Sequence, residues 1–301
     1  VNPGAYGPVG RSPWLDIDWR EHQRWLILDG QPLNTISLGP ESPEAGQPIV
    51  FVHGLTGSWP NWLEQLPVFA ARHRVLALDL PGFGHSPMPP EGITISGYAR
   101  LLDRVLEQLD IDAAVVVGNS MGGFVGAELA IAFPERVERL VLVSAAGVST
   151  HARRGGTSAL ATLRRLERIL TASSAWLASK SDAVTRRPQL RALILNAVMR
   201  HPGRLPGALL AEQLRGAGKP GFVQGLQAIF DYEIRERLPE IACPTLIVWG
   251  GRDRIIPVGD ADAFAELIPD ARKVVFPDTG HVAMLERPSA FNELLEDFLG
   301  E

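Results

Sequence analysis

Ser120 lies in the stretch VVVGNSMGGFVGAELA, residues 115–130, where an aliphatic run gives way to helical spacing. Gly118-Asn119-Ser120-Met121-Gly122 fits G-x-S-x-G, the pattern of a tight elbow that holds a serine hydroxyl at the tip of a sheet. Small residues on both sides let strand and helix approach closely and permit unusual backbone angles. The chemistry predicted is acyl transfer to the hydroxyl. A plainer use of the same residues is a glycine-rich turn that cradles a phosphate.

A serine hydroxyl is a weak nucleophile at neutral pH. It needs a base, usually imidazole, held in one tautomer by a carboxylate. Of the seven histidines, His22 and His73 fall in edge or surface segments, and His151 and His201 stand beside arginines as solvated side chains. His53 ends a strand in VHGLTG and is expected to brace its loop; His85 sits in PGFGHS. His281 follows FPDTG, after the last strand, and is the candidate base. Three strand-end carboxylates compete to orient it. Asp253 ends LIVWGGRD one strand earlier, which gives the chain order serine, acid, histidine. Asp79, in LALDLPGFGHS, is better placed to fix its own loop, and Asp278 to orient the loop of His281.

The tetrahedral oxyanion needs two N–H donors. Met121, at the start of the helix, supplies one, and Leu55, in HGLTG at 53–57, supplies the other. Trp59 and Trp62, beside that loop, are candidates for the substrate pocket or for core packing.

These groups need a scaffold that brings strand ends together. Residues 24–28 and 32–38, around Asp29-Gly30, read as an antiparallel hairpin. Then come aliphatic runs with glycine, aspartate or asparagine near their ends: PIVFVHG, RVLALDLPG, AAVVVGN, RLVLVSAAG, PTLIVWGGRD and ARKVVFPDTGH. Helix-length segments, such as 95–109 and 124–133, separate several of them. This alternation predicts an α/β fold, a mostly parallel doubly wound sheet with the hairpin extending one edge. Ligand sites in such sheets form beyond the carboxyl ends of the strands.

The alternation breaks at about 147–235, where Leu160, Leu163, Leu166 and Leu170 recur at helical spacing. The predicted organisation is a loosely ordered N-terminal arm over 1–23, a core over 24–146 and 236–301, and a helical insertion over 147–235.

At 301 residues the chain can form one large core plus an insertion. Its net charge of −5 gives no general reason to expect nucleic-acid binding. That charge is uneven: residues 151–235 hold 14 Lys+Arg against 5 Asp+Glu. A basic insertion can attract anionic substrates, make peripheral contact with an acidic membrane, or merely solvate its own helices. No apolar run approaches the ~20 residues that span a bilayer. The single cysteine, Cys243, excludes an internal disulfide and reads as a buried structural thiol. Without an apolar leader in VNPGAYGPVGRSPW, a cytoplasmic location is expected. No H-E-x-x-H or Cys/His cluster is present to hold a metal.

In order, VHGLTG, DLPGFGHS, VGNSMGG, WGGRDRIIP and GHVAMLERP resemble the serial motifs of the α/β-hydrolase superfamily. They are most similar to its branch of serine esterases, lipases and meta-cleavage-product hydrolases, over about residues 24–299. The resemblance implies Ser120 as nucleophile, Asp253 as acid, His281 as base and an oxyanion hole from Leu55 and Met121. It also implies a cap over the pocket from about 147–235, and no metal or cofactor. Relatives that open epoxides or dehalogenate place aspartate at the elbow, where this chain has Ser120.

The expected activity is that of a carboxylesterase or monoacylglycerol-type lipase on small apolar esters. Leu193, Ile194, Leu195, Val198 and Met199 would line the acyl pocket or pack the cap. The alternative is a carbon–carbon hydrolase of the meta-cleavage-product type. GNSMGG resembles that family's elbow, and an arginine such as Arg191 would bind the substrate carboxylate. That family usually has tryptophan directly after the catalytic histidine, whereas this chain has Val282. A ligand receptor on the same fold is the third reading.

Overall fold

The computed structural model describes residues 4–42, 46–149 and 180–300. Its eight strands are β1 (Gln23–Leu28), β2 (Gln31–Leu38), β3 (Gly46–Val52), β4 (His73–Leu78), β5 (Ala114–Asn119), β6 (Val137–Val143), β7 (Thr245–Gly250) and β8 (Ala271–Phe276). They form one sheet in the order β1-β2-β4-β3-β5-β6-β7-β8. The first two strands join antiparallel at one edge, and every pairing from β4 onward is parallel. The hairpin turn is the expected one: Asp29 and Gly30 both have positive φ, as a two-residue turn between twisted strands requires.

The strand sequences explain their depth. In β5 and β7 every residue is buried, which is why these runs are continuously apolar rather than alternating. Along each strand the side chains still alternate between layers. Phe51, Val115, Val117, Val143 and Val248 face Trp62, Phe69 and Phe291. Val52, Val116, Leu142 and Trp249 face the other layer, with Tyr98, Leu102, Phe124 and Phe264.

That second layer includes α1 (Ile95–Gln108), whose apolar stripe Ile95, Tyr98, Ala99, Leu102, Val105 and Leu106 is buried. Thr94 starts it by accepting from Gly97 N–H at 3.0 Å, a cap worth about 1 kcal/mol. Helix α2 (Met121–Ala132) is buried on nearly all sides, so it lacks a polar stripe. Its one carboxylate, Glu128, pairs with Arg237 at 2.9 Å.

The chain passes from β3 to β4 on one side and then returns to β5 on the other. The crevice between the ends of β3 and β5 is therefore the switch point where such sheets bind ligands. Between β6 and β7, the described residues contain α3 (Pro188–Leu195), α4 (Gly207–Arg215) and α5 (Phe222–Asp231), and no strand. The leucine pattern at 160–170 and His151 lie outside the described residues. Helices α6 (Gly259–Leu267) and α7 (Pro288–Gly300) complete the layers. No described helix is long and apolar enough to cross a membrane.

The expectation of a loose N-terminal arm is corrected for residues 4–22. Tyr6 and Trp14 are buried in the core. Ser12 Oγ and Trp14 Nε1 each donate to Glu64 Oε1 at 2.8 Å, and Arg287 Nη1 donates to Gly4 O at 2.9 Å. Two large rings supply the apolar area that holds the segment down; the glycines and prolines around them obscure this in the sequence.

Candidate active site

Ser120 sits between β5 and α2 with φ 54° and ψ −115°, a conformation that costs a residue with a side chain about 1–3 kcal/mol. Backbone bonds on both sides hold it there. Ser120 N–H donates to Val143 O at 3.0 Å, and Ser120 O accepts from Phe124 and Ala146 N–H at 3.1 Å each. The flanking glycines are steric requirements. A Cβ on Gly118 would lie 2.3 Å from Gly122 O, and one on Gly122 would lie 2.2 Å from Val52 O. The elbow thus packs directly against the end of β3.

Asp253 and His281 meet as the sequence order predicts. His281 Nδ1 lies 2.8 Å from Asp253 Oδ2, and the carboxylate is fully buried. Asp253 Oδ1 accepts from the N–H groups of Ile255 and Ile256 at 2.8 and 3.0 Å, which fixes the acid before it meets the imidazole. Their loops touch because β7 ends in glycine: a Cβ on Gly250 would fall 1.8 Å from Gly280 O. His281 and Ser120 line the same cavity. Among the described residues no hydrogen bond joins Ser120 Oγ to the imidazole.

The 53–57 loop lies beside the elbow, since a Cβ on Gly54 would be 3.2 Å from Ser120 Cβ. Leu55 lines the cavity with Ser120, and Met121 N–H is the first of α2, where no carbonyl of the same helix precedes it. His53 braces this loop. Its Nδ1 pairs with Gly54 O at 2.7 Å and its Nε2 accepts from Leu80 N–H at 2.9 Å. Burial holds its pKa below the ordinary value.

Asp79 anchors the same region by accepting from Trp59 N–H, His85 N–H and Asn34 Nδ2. Burial pushes its carboxyl up, but His85 and the neighbouring donors outweigh that and hold it below the usual range. Asp278 turns away from His281 and binds Arg200 and His201 at 3.0 and 2.8 Å. His201 is therefore a paired side chain and not simply solvated.

Of the two uses open to Trp59 and Trp62, core packing is the one seen, and neither lines the cavity. Trp62 is fully buried against Phe51, with ring centroids 5.0 Å apart. Trp59 packs on Trp19 at 4.9 Å. A short helical turn, Trp59–Trp62, is capped by Ser58 and Asn61, and it presents Asn61 to the cavity instead. Asn61 Nδ2 donates to Gln213 Oε1 at 2.9 Å, and Gln213 Nε2 donates to Pro60 O at 2.8 Å. This amide pair, unread in the sequence, ties the loop to α4.

The cavity has a volume of about 390 Å³. Leu195, Val198, Met199, Leu214, Phe222 and Ile229 form much of its wall, and His281 is the one ionisable group among its described lining residues. Leu193, by contrast, is exposed. Arg191 does not reach the cavity: it is buried with its guanidinium on Leu205 O. Cys243 is partly buried, and burial pushes its thiol up to about 11, far from a nucleophile's range.

Comparison with known proteins agrees with this architecture. Residues 47–288 match the family described as alpha/beta hydrolase fold. The chain is 35% identical over 252 residues to the dihydrolipoyllysine-residue acetyltransferase component of the acetoin cleaving system of Cupriavidus necator, covering 84% of this chain and 63% of that one. It thus spans less than two thirds of that relative's length. It is 33% identical over 269 residues to the 2-hydroxy-6-oxononadienedioate/2-hydroxy-6-oxononatrienedioate hydrolase of Cupriavidus pinatubonensis, covering 84% and 86% of the two chains. Among solved structures, the N-acyl homoserine lactone degrading enzyme Est816 superposes with a TM-score of 0.70 at 28% identity, covering 91% of this chain and all of the other. The chain belongs to the alpha/beta hydrolase family.

Proposed function

We propose that this hydrolase cleaves carboxylic esters of apolar, uncharged acyl groups through an acyl-enzyme on Ser120. The observation that carries this reading is the wall of the Ser120 cavity, whose described residues are apolar with a few neutral amides and hydroxyls and one imidazole. A chain of methylenes gains about 0.8 kcal/mol for each group it buries in such a space. A carboxylate entering it would lose its hydration with no described cation to meet it.

Ser120 Oγ attacks the ester carbonyl carbon while His281 Nε2 takes its proton. Asp253 holds Nδ1–H and stabilises the imidazolium. The N–H groups of Leu55 and Met121 receive the developing oxyanion, and the start of α2 favours that negative charge. His281 then protonates the departing alcohol. Water, deprotonated by the same imidazole, attacks the acyl carbon and frees Ser120. The helices between β6 and β7 act as the cap that keeps bulk water from the acyl group.

The carbon–carbon hydrolase reading has the dienedioate hydrolase relative in its favour; the fate of Arg191 weighs against it. A panel of p-nitrophenyl esters of increasing acyl length, run beside a dienone acid, separates the two. Fast ester cleavage that depends on acyl length is the expected result. Turnover of the dienone acid alone would replace the ester reading, and tight binding of both without turnover would indicate a receptor.

A further inference from the structure

Glu286 is fully buried and has no step in the reaction above, yet four donors converge on it. Gly280 N–H lies 3.0 Å from both carboxylate oxygens, and Val282 N–H lies 3.4 Å from Oε1. Arg200 N–H and Tyr6 OH reach Oε2 at 2.8 and 2.5 Å. Gly280 and Val282 are the chain neighbours of His281, so the carboxylate grips the backbone on both sides of the imidazole. His281 N–H is held by Val198 O at 2.8 Å, and His281 O accepts from Asn119 Nδ2 at 3.3 Å, from the residue before Ser120. There is no slack in this cradle. A Cβ on Gly280 would lie 2.7 Å from Val198 O and 2.9 Å from both Arg200 N and Glu286 Oε1.

Tyr6 closes the arrangement from the far end of the chain. Its hydroxyl also accepts from His201 N–H at 2.8 Å. The guanidinium groups of Arg287 and Arg204 lie 4.9 and 5.1 Å from its ring centre, and the His201 ring meets it edge-on at 5.2 Å. Gly7 N–H donates to Glu286 O at 2.8 Å. The N-terminal segment therefore holds Glu286 by both its side chain and its backbone. Neither Tyr6 nor Glu286 lines the cavity.

We propose that Glu286, locked in place by Tyr6, is a second positioning residue for the His281 imidazole beside Asp253, which extends the support of the site to residues 4–7. The proposal rests on His281 being the base. Its physical ground is geometric: a shift of about 1 Å in a catalytic group can cost 10²-fold in rate, and removing one donor from a buried carboxylate weakens the set of bonds that fixes it. Because the pair acts chiefly through the imidazole that transfers the proton, the loss falls mainly on kcat, with a much smaller change in KM.

The experiment is a double-mutant cycle on a p-nitrophenyl ester. Tyr6→Phe removes one oxygen from a packed ring and is expected to lower kcat about tenfold, with KM within about twofold. In a His281→Ala background the same change is expected to leave the residual rate unaltered, because its path to the chemistry is gone. Equal losses in both backgrounds overturn the proposal, as does wild-type kcat in Tyr6→Phe. Glu286→Gln, taken through the same cycle, gives an independent reading and answers the question if Tyr6→Phe does not fold. Should His281→Ala itself keep the wild-type rate, the base assignment is what fails, and that outcome is distinct from the others.

Discussion

Two histidine–aspartate pairs lie at the carboxyl ends of this sheet, and they differ in what their hydrogen-bonding groups have left to give. His53 and Asp79 follow β3 and β4; Asp253 and His281 follow β7 and β8. Both nitrogens of His53 are bonded to backbone groups, Nδ1–H to a carbonyl and Nε2 to an N–H. That pattern requires the neutral ring. Asp79 is likewise committed to three donors around it. In the other pair, His281 spends Nδ1 on Asp253 and lines the cavity beside Ser120, with no partner for Nε2 among the described residues. The first pair holds loops; the second has a nitrogen free for a proton. If His281 is the base, as proposed, saturation separates it from the structural His53 more sharply than burial does, since both rings are buried.

The largest effect that tests this contrast is the removal of the proposed nucleophile. Ser120→Ala is expected to lower kcat for ester hydrolysis by about 10⁶-fold, and His281→Ala similarly, by analogy with other triads. Circular dichroism and thermal melts should remain close to wild type. Wild-type turnover by Ser120→Ala would move the nucleophile elsewhere.

The proposed acid comes next. Asp253→Asn is expected to cost about 10³–10⁴ in kcat, because the amide favours the wrong imidazole tautomer. Asp79→Asn should instead show its main effect in urea denaturation, with a loss of about 1–3 kcal/mol from donors left without an acceptor. If the kinetic loss appeared in Asp79→Asn with the fold intact, the roles of the two carboxylates would have to be exchanged.

The same distinction explains which features were legible in the sequence. Continuous aliphatic runs could only be strands covered on both faces, and their glycine, aspartate and asparagine endings marked the edge where the site forms. The elbow could be read because Gly118 and Gly122 are enforced by contacts that leave no room for a Cβ. Chain order favoured Asp253 among three strand-end carboxylates, and the serial motifs that resemble those of the family paired it with His281. Contacts between distant segments left no local pattern. Trp59 and Trp62 stand beside the 53–57 loop, but a short helical turn aims them at Trp19 and Phe51. Arg191 had the right charge, but its guanidinium meets a carbonyl. Tyr6 sat among glycines and prolines that looked like a loose arm. The one available clue to Glu286 was a carboxylate closing the apolar run VAML five residues after His281.

The smallest effect is the most direct test of His53 as a neutral brace. Burial pulls its pKa below the ordinary 6.5 in the folded chain. As pH falls past 6.5, the unfolded chain takes up a proton that the folded chain refuses, so the free energy of unfolding decreases. One such group contributes at most about 1.4 kcal/mol per pH unit, between 6.5 and its folded pKa. Glu64, whose carboxyl is pushed up by burial against its bonds from Ser12 and Trp14, has a slope of the opposite sign, but that slope is common to wild type and variant. The variant is His53→Gln, uncharged at every pH. Urea denaturation of both proteins from about pH 8 to about pH 5 should give a stability difference that favours wild type at the upper end and narrows steadily below 6.5. A difference that stays constant with pH would mean that the folded chain accepts the proton at His53, and the line drawn between the two pairs would lose its basis.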